Sequence, residues 1–128
     1  MYKSIFLGLI FFIFPVFVHS EWNSVAESSN AKIFVDPGSI RKVENDIKSI
    51  WTLKNFSNKT DDIQSRQFKL ELNCKSDQFR KLIRVSFSGP FSSGLPIKDY
   101  FKPEDWHSID DDELFKAVFN SICSDSNK

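Results

Sequence analysis

The chain has 128 residues, with 17 Lys and Arg against 17 Asp and Glu, so its formal charge is zero. That balance argues against a nucleic-acid binder and against a strongly acidic surface. The length allows a single domain with one core of marginal size.

The first twenty residues read as a leader rather than as fold. Lys3 gives a short positive start, Ile5 to Val18 is almost wholly apolar, and Val18-His19-Ser20 offers a small-residue cleavage signal before Glu21. This is the pattern of a secretory signal peptide. The alternative, a retained membrane anchor, is disfavoured because the apolar run falls short of the ~20 residues that span a bilayer. No cysteine lies near the cleavage point to take a lipid. The expected mature chain is one domain over residues 21–128, with no membrane span, placed in the periplasm, on the cell surface or outside the cell.

Trp22 to Ser28 has strand-like composition around Val25, and Lys32 to Val35 is a short strand. Asp36-Pro37-Gly38-Ser39 is a turn in which Pro presets φ. Ile40 to Val43 is a second short strand. Ile47 to Phe56 is longer, with Ile47, Trp51 and Leu53 on one face and Lys48, Thr52 and Lys54 on the other. Ser57 to Ser65 is polar and reads as a loop. Arg66 to Cys74 alternates, with Phe68, Leu70, Leu72 and Cys74 sharing a face. Leu82 to Ser88 alternates with Ile83, Val85 and Phe87 inward, which places Arg84 toward solvent. Gly89 to Lys102 reads as irregular. A helix follows, with Asp110 as N-cap and Glu113 three residues on, and its stripe is Leu114, Phe115, Val118, Phe119 and Ile122. The predicted fold class is α+β: an antiparallel sheet of about five to six short strands with one C-terminal helix packed on it. The expected core is Trp51, Phe68, Leu70, Leu72, Val85, Phe87, Leu114, Val118, Phe119 and Ile122.

Two cysteines in an exported domain make one disulfide, and only one pairing exists, Cys74 with Cys123. The bridge ties the helix to the end of a strand. Its loop of about 50 residues corresponds to roughly 4 kcal/mol in the chain-entropy picture. A redox or metal pair is the alternative, but the CxxC spacing it calls for is absent.

Charge is unevenly spread. Residues 66–84 hold six basic and two acidic residues, whereas residues 99–113 hold seven acidic residues and one Lys. Lys75, Arg80, Lys81 and Arg84 form the candidate ligand-binding patch. One reading is an ordinary solvated face; the other is a surface that docks an acidic segment of a partner protein or a polysaccharide. On the second reading, replacing all four leaves the fold intact and weakens binding. No catalytic constellation is present. His107 stands without a nucleophile motif and reads as a loop or cap histidine. Asp110 to Glu113 have neither the spacing of a calcium loop nor the geometry for a metal site, and no cofactor is implied. Asn55-Phe56-Ser57 and Asn58-Lys59-Thr60 match the glycosylation pattern.

Taken in order, several stretches carry a family resemblance. They are Trp22, Phe34-Val35-Asp36-Pro37-Gly38-Ser39-Ile40, Ile50-Trp51-Thr52-Leu53, Ser65, Leu72-Asn73-Cys74, Trp106 and Ile122-Cys123. The set resembles the surface-adhesin protein E family of bacterial exported proteins. The resemblance implies an antiparallel sheet with a disulfide-tied C-terminal helix. For function it implies a non-enzymatic binding domain that engages host cells and extracellular matrix or serum proteins such as vitronectin and laminin. A bacterial source makes the glycosylation matches coincidental. A periplasmic accessory or inhibitor protein of the cell envelope is the runner-up, because the lipobox cysteine of a surface lipoprotein is missing. A homodimer is compatible with these features.

Overall fold

A long hairpin organises the molecule. Strands β4 (Ile47–Thr60) and β5 (Ile63–Asn73) pair antiparallel from Ile47↔Asn73 out to Thr60↔Ile63. Asp61 and Asp62 close it with φ of 52° and 62°, the paired positive φ of a two-residue type I′ turn, which short Asp side chains tolerate. The segment expected as a loop over Ser57 to Ser65 is therefore mostly strand. Ladder hydrogen bonds are made by backbone, so polar residues with few apolar neighbours still extend it.

This computed structural model describes residues 21–100 and 102–124; the signal-peptide expectation for residues 1–20 lies outside them. Among the described residues eight strands form one antiparallel sheet, more than the five to six expected. Besides β4 and β5 these are β1 (Asn23–Glu27), β2 (Ala31–Val35), β3 (Arg41–Glu44), β6 (Gln78–Phe87) and, where no strand was expected, β7 (Pro96–Tyr100) and the two-residue β8 (His107–Ser108). The order is β1-β2-β4-β5-β6-β7, with β3 pairing β4 and β8 pairing β6. Strand β7 corrects the irregular reading of Gly89 to Lys102. Helix α1 (Glu113–Cys123) lies on one face.

The helix starts two residues later than expected. Ser108 caps a short 3-10 turn over Ile109–Asp111 by accepting from the Asp110 amide. Asp112, not Asp110, is the N-cap of α1, accepting from the Phe115 amide at 2.9 Å. The 3-10 turn buries Ile109, which anchors the approach.

Leu114, Phe115, Val118, Phe119 and Cys123 of α1 are buried against Ile33, Val35, Ile50, Phe68, Leu70, Leu72 and Phe79. Phe115 is central: its ring meets those of Phe68 at 5.2 Å and Phe79 at 5.3 Å, both edge to face. Edge-to-face pairs suit the ring quadrupole and add to the area term. Of the expected core, Trp51, Val85, Phe87 and Ile122 are only half-buried.

A β-bulge explains two of those misses. Pairing of β5 with β6 slips between Lys69↔Ile83 and Leu70↔Lys81, leaving Leu82 as the extra residue. At this point the Lys81 amide donates to Glu104 Oε1 at 3.0 Å, and the Glu104 amide donates to the Lys81 carbonyl at 3.1 Å. Glu104 thus satisfies backbone groups of the bulged strand. The extra residue inverts the alternation: Phe79, Lys81, Arg84 and Ser86 share the helix-side face with Leu72, Leu70, Phe68 and Arg66. Ile83 and Val85 point to the far face, and Arg84 points to the helix side, contrary to expectation.

The far face is covered without a helix. Leu53 and Phe34 are buried there. Phe91, in a 3-10 turn over Pro90–Ser92, packs on Phe34 with ring centroids 5.3 Å apart. Gly94, at φ 79°, lets the chain return: a Cβ there would lie 2.9 Å from the Gly89 nitrogen.

Candidate functional site

The disulfide end comes from sequence neighbours of β5 and α1. Asn73 closes the β5–β6 turn, its Oδ1 accepting from the Lys75 and Ser76 amides. Cys74 donates its amide to the Asp46 carbonyl at 2.8 Å and is bonded to Cys123, with Cα atoms 5.4 Å apart. Beside the bridge lies a cleft of about 320 Å³ lined by both cysteines, Lys42, Lys48, Lys75, Asn45 and Asp46. Lys48 Nζ donates to the Ile122 carbonyl at 3.3 Å, a cation at the negative end of the helix dipole.

The four cations proposed as a patch do not sit together. Lys75 is exposed in the turn by the disulfide. Arg80 is on the far face, where Nε and Nη2 donate to Glu71 Oε1 at 2.8 Å and 2.6 Å. Its guanidinium lies 4.6 Å from the Trp106 ring. Glu71 is 6% exposed, so Arg80 supplies the charge that its buried carboxylate requires. Replacing Arg80 therefore disturbs the fold, and the fourfold replacement is more than a change of surface charge. Lys81 and Arg84 are on the helix side, brought there by the bulge.

On that side the structure gathers a different set of cations. Lys54 of β4 is in register with Arg66 of β5, Phe68 is in register with Arg84, and Arg66 with Ser86. Lys54 Nζ is 4.1 Å from the Phe115 ring centroid and Lys81 Nζ 5.9 Å. Both also approach the Phe68 ring, at 5.7 Å and 5.6 Å. Arg66 Nε donates to Ser86 Oγ at 3.0 Å and its guanidinium lies 5.9 Å from the Phe56 ring. The negative faces of the aromatic rings hold the cations in place.

Lys54 carries one ion pair, to Asp112 Oδ2 at 3.2 Å, and its side chain is 16% exposed. Burial pushes its pKa below the ordinary 10.5; Asp112 opposes this, while Lys81 and Arg66 push it further down. Among the described residues, neither Arg66 nor Lys81 has a carboxylate within ion-pair distance. Such a cluster favours an oxyanion. Lys54 was legible only as a polar position on the face opposite Trp51 and Leu53, and Arg66 only as the basic residue that opens the alternating strand. The signal that marks them is their placement beside Phe56 and Phe68, and it depends on which face the helix covers.

His107 starts β8, packs 5.7 Å from the Phe79 ring and has Nε2 3.6 Å from Glu104 Oε1. Among the described residues, no group of three or more His, Cys, Asp or Glu is placed to hold a metal ion. No described helix is long and apolar enough to cross a membrane.

The architecture has solved counterparts. Haemophilus influenzae protein E in its second crystal form superposes with a TM-score of 0.65 at 18% identity, covering 89% of this chain and 95% of that one. The selenomethionine form of the same protein gives 0.64 at 18% identity, covering 89% and 94%. Protein E from non-typeable Haemophilus influenzae gives 0.59 at 18%, covering 88% and 82%. At such identity the likeness speaks for the fold. No curated protein matches the chain. The model of the family described as surface-adhesin protein E matches residues 22–124, from the residue before β1 to the residue after α1. By that match across nearly the whole described chain, the protein belongs to the surface-adhesin protein E family.

Proposed function

We propose that this chain is a non-enzymatic, exported binding domain of the bacterial envelope that engages host extracellular proteins or cells. The observation that carries the reading is the family match over residues 22–124. The disulfide supports it, because a bridge between β5 and α1 suits an oxidising compartment outside the cytoplasm. Cations held on paired strands, rather than on loops, offer a rigid surface for a partner.

Two measurements test this on the full chain in its native host. An impermeant biotinylation reagent applied to intact cells is expected to label the protein. The purified protein is expected to be retained on immobilised host matrix or serum proteins, and less so at higher salt. Protection from the reagent on intact cells, with labelling after the outer membrane is opened, would instead make it a periplasmic accessory or inhibitor protein.

A further inference from the structure

We propose that the helix-side cluster of Lys54, Arg66 and Lys81 is a binding site for an acidic side chain of a partner protein, seated beside an apolar neighbour. The proposal deepens the adhesin-type reading and rests on it for the biological partner, but the site is argued from its own geometry.

Charge at the cluster is unbalanced. Lys54, Arg66 and Lys81 meet one carboxylate, Asp112, within ion-pair distance among the described residues. The ammonium groups of Lys54 and Lys81 approach one ring, Phe115, at 4.1 Å and 5.9 Å. Both therefore lie against the same rings, and Lys81 contributes to the lowered Lys54 pKa. A second carboxylate would relieve that repulsion. Arg84 stands next in register on β6 and borders the cluster.

The surface beside the cluster is concave. Alongside Arg66 runs a cavity of about 220 Å³ lined by Phe56, Thr60, Asp61, Ile63 and Arg66. Phe56 and Ile63 give it apolar walls, and its size suits one or two amino-acid side chains. Asp61 also lines it, outside ion-pair distance of Arg66. An acid that meets Arg66 thus has an apolar wall for its neighbour beside it.

The arrangement of the cations selects the class of ligand. A sulfated polysaccharide is a long polyanion and is best met by an extended track of exposed cations. Here the cations are half-buried on one face of the sheet, each held against an aromatic ring. The site already accepts a peptide carboxylate, Asp112, at Lys54.

The test is an NMR titration of the purified chain labelled with 13C-lysine. The probe is acetyl-Glu-Phe-Glu-amide, with acetyl-Gln-Phe-Gln-amide and a heparin hexasaccharide as comparisons. Lys54 and Lys81 signals are assigned from Lys54→Met and Lys81→Gln. The acidic peptide is expected to shift both lysine signals saturably, and the neutral peptide to leave them unchanged. In Arg66→Gln/Lys81→Gln, verified folded by its spectrum, the acidic peptide is expected to bind roughly tenfold more weakly at the Lys54 signal, as befits the loss of charge-assisted contacts. The proposal is overturned if neither lysine responds, if both peptides act alike, or if the double variant binds equally well. A stronger saturable response to the hexasaccharide would overturn it in favour of a polysaccharide. Should the double variant fail to fold, the response of the natural chain to the acidic and neutral peptides decides. Capture on host proteins is read separately. No peptide response with intact capture sinks the site alone; peptide response without capture sinks the adhesin-type function alone.

Discussion

The two faces of the central sheet are made from alternate residues of the same long strands, yet they are closed by different means. On one, α1 brings a continuous apolar stripe over Ile50, Phe68, Leu70 and Leu72, and the Cys74–Cys123 bond ties its end down. On the other, short irregular segments do the covering. Phe91 rests on Phe34, and Trp106 rests on the Arg80–Glu71 pair. That face depends on hydrogen bonds: Ser65 Oγ donates to the Gly89 carbonyl at 2.7 Å and accepts from the Ser92 amide at 2.9 Å. Asn55 Oδ1 accepts from the Phe91 amide at 2.9 Å. A helix satisfies its own backbone and needs only apolar contact, whereas a loop laid on a sheet must have its polar groups met one by one.

If the helix-side face carries most of the stability, its centre is the most sensitive point. Phe115→Ala removes a fully buried ring packed on two others, and is expected to cost about 3–5 kcal/mol. Urea denaturation at pH 7 measures this; a loss no larger than that of a surface substitution would break the contrast between the faces.

Replacing Cys74 and Cys123 together by Ser frees the end of α1 and is expected to cost about 2–5 kcal/mol. Amide hydrogen exchange should show protection lost first in residues 113–123, with the β4–β5 ladder retained. Uniform loss would mean that the helix and sheet unfold as one unit.

The far face yields a smaller effect. Ser65→Ala leaves the Gly89 carbonyl and the Ser92 amide without their partner, at about 1–3 kcal/mol. Exchange is expected to rise in residues 88–95 while α1 stays protected. An equal rise in both regions would show that the two coverings are coupled.

The smallest expected effect concerns Lys54. Its pKa is held below 10.5 chiefly by burial. Between that lowered pKa and 10.5 the folded state binds fewer protons than the unfolded state, so Lys54 makes stability rise with pH across that window. Lys54→Met is expected to change stability at pH 7 by less than about 1 kcal/mol, because Asp112, with its side chain 27% exposed, keeps water and the Phe115 amide as partners while an apolar side chain replaces the part-buried ammonium. It is also expected to remove that part of the rise on going to high pH. Denaturation curves at neutral and alkaline pH for both proteins check the difference.

Much of the fold was legible from local pattern. The alternation from Phe68 to Leu72 marks a half-buried strand, the spacing of Leu114, Phe115, Val118 and Phe119 marks the helix, and two cysteines allow one bridge. The candidate cations were less legible. Lys75, Arg80, Lys81 and Arg84 are neighbours in sequence, but the turn, the far face and the bulge send them to three places. Strand parity assigns side chains to faces only while it is unbroken, and it breaks at the Leu82 bulge, where Glu104 bonds to the Lys81 backbone from a distant segment.

What the sequence determined by itself was therefore most of the long elements, the apolar stripes of β5 and α1 and the covalent tie, because these follow from periodicity and residue type within short windows. Tertiary structure decided which face of β4 lies under the helix, and so whether Lys54 meets water or Phe115. It also decided which charges meet: Asp112 with Lys54, Glu71 with Arg80. Those pairings join residues from different elements, and they are set by how the helix and the 102–106 segment dock, which no local pattern encodes.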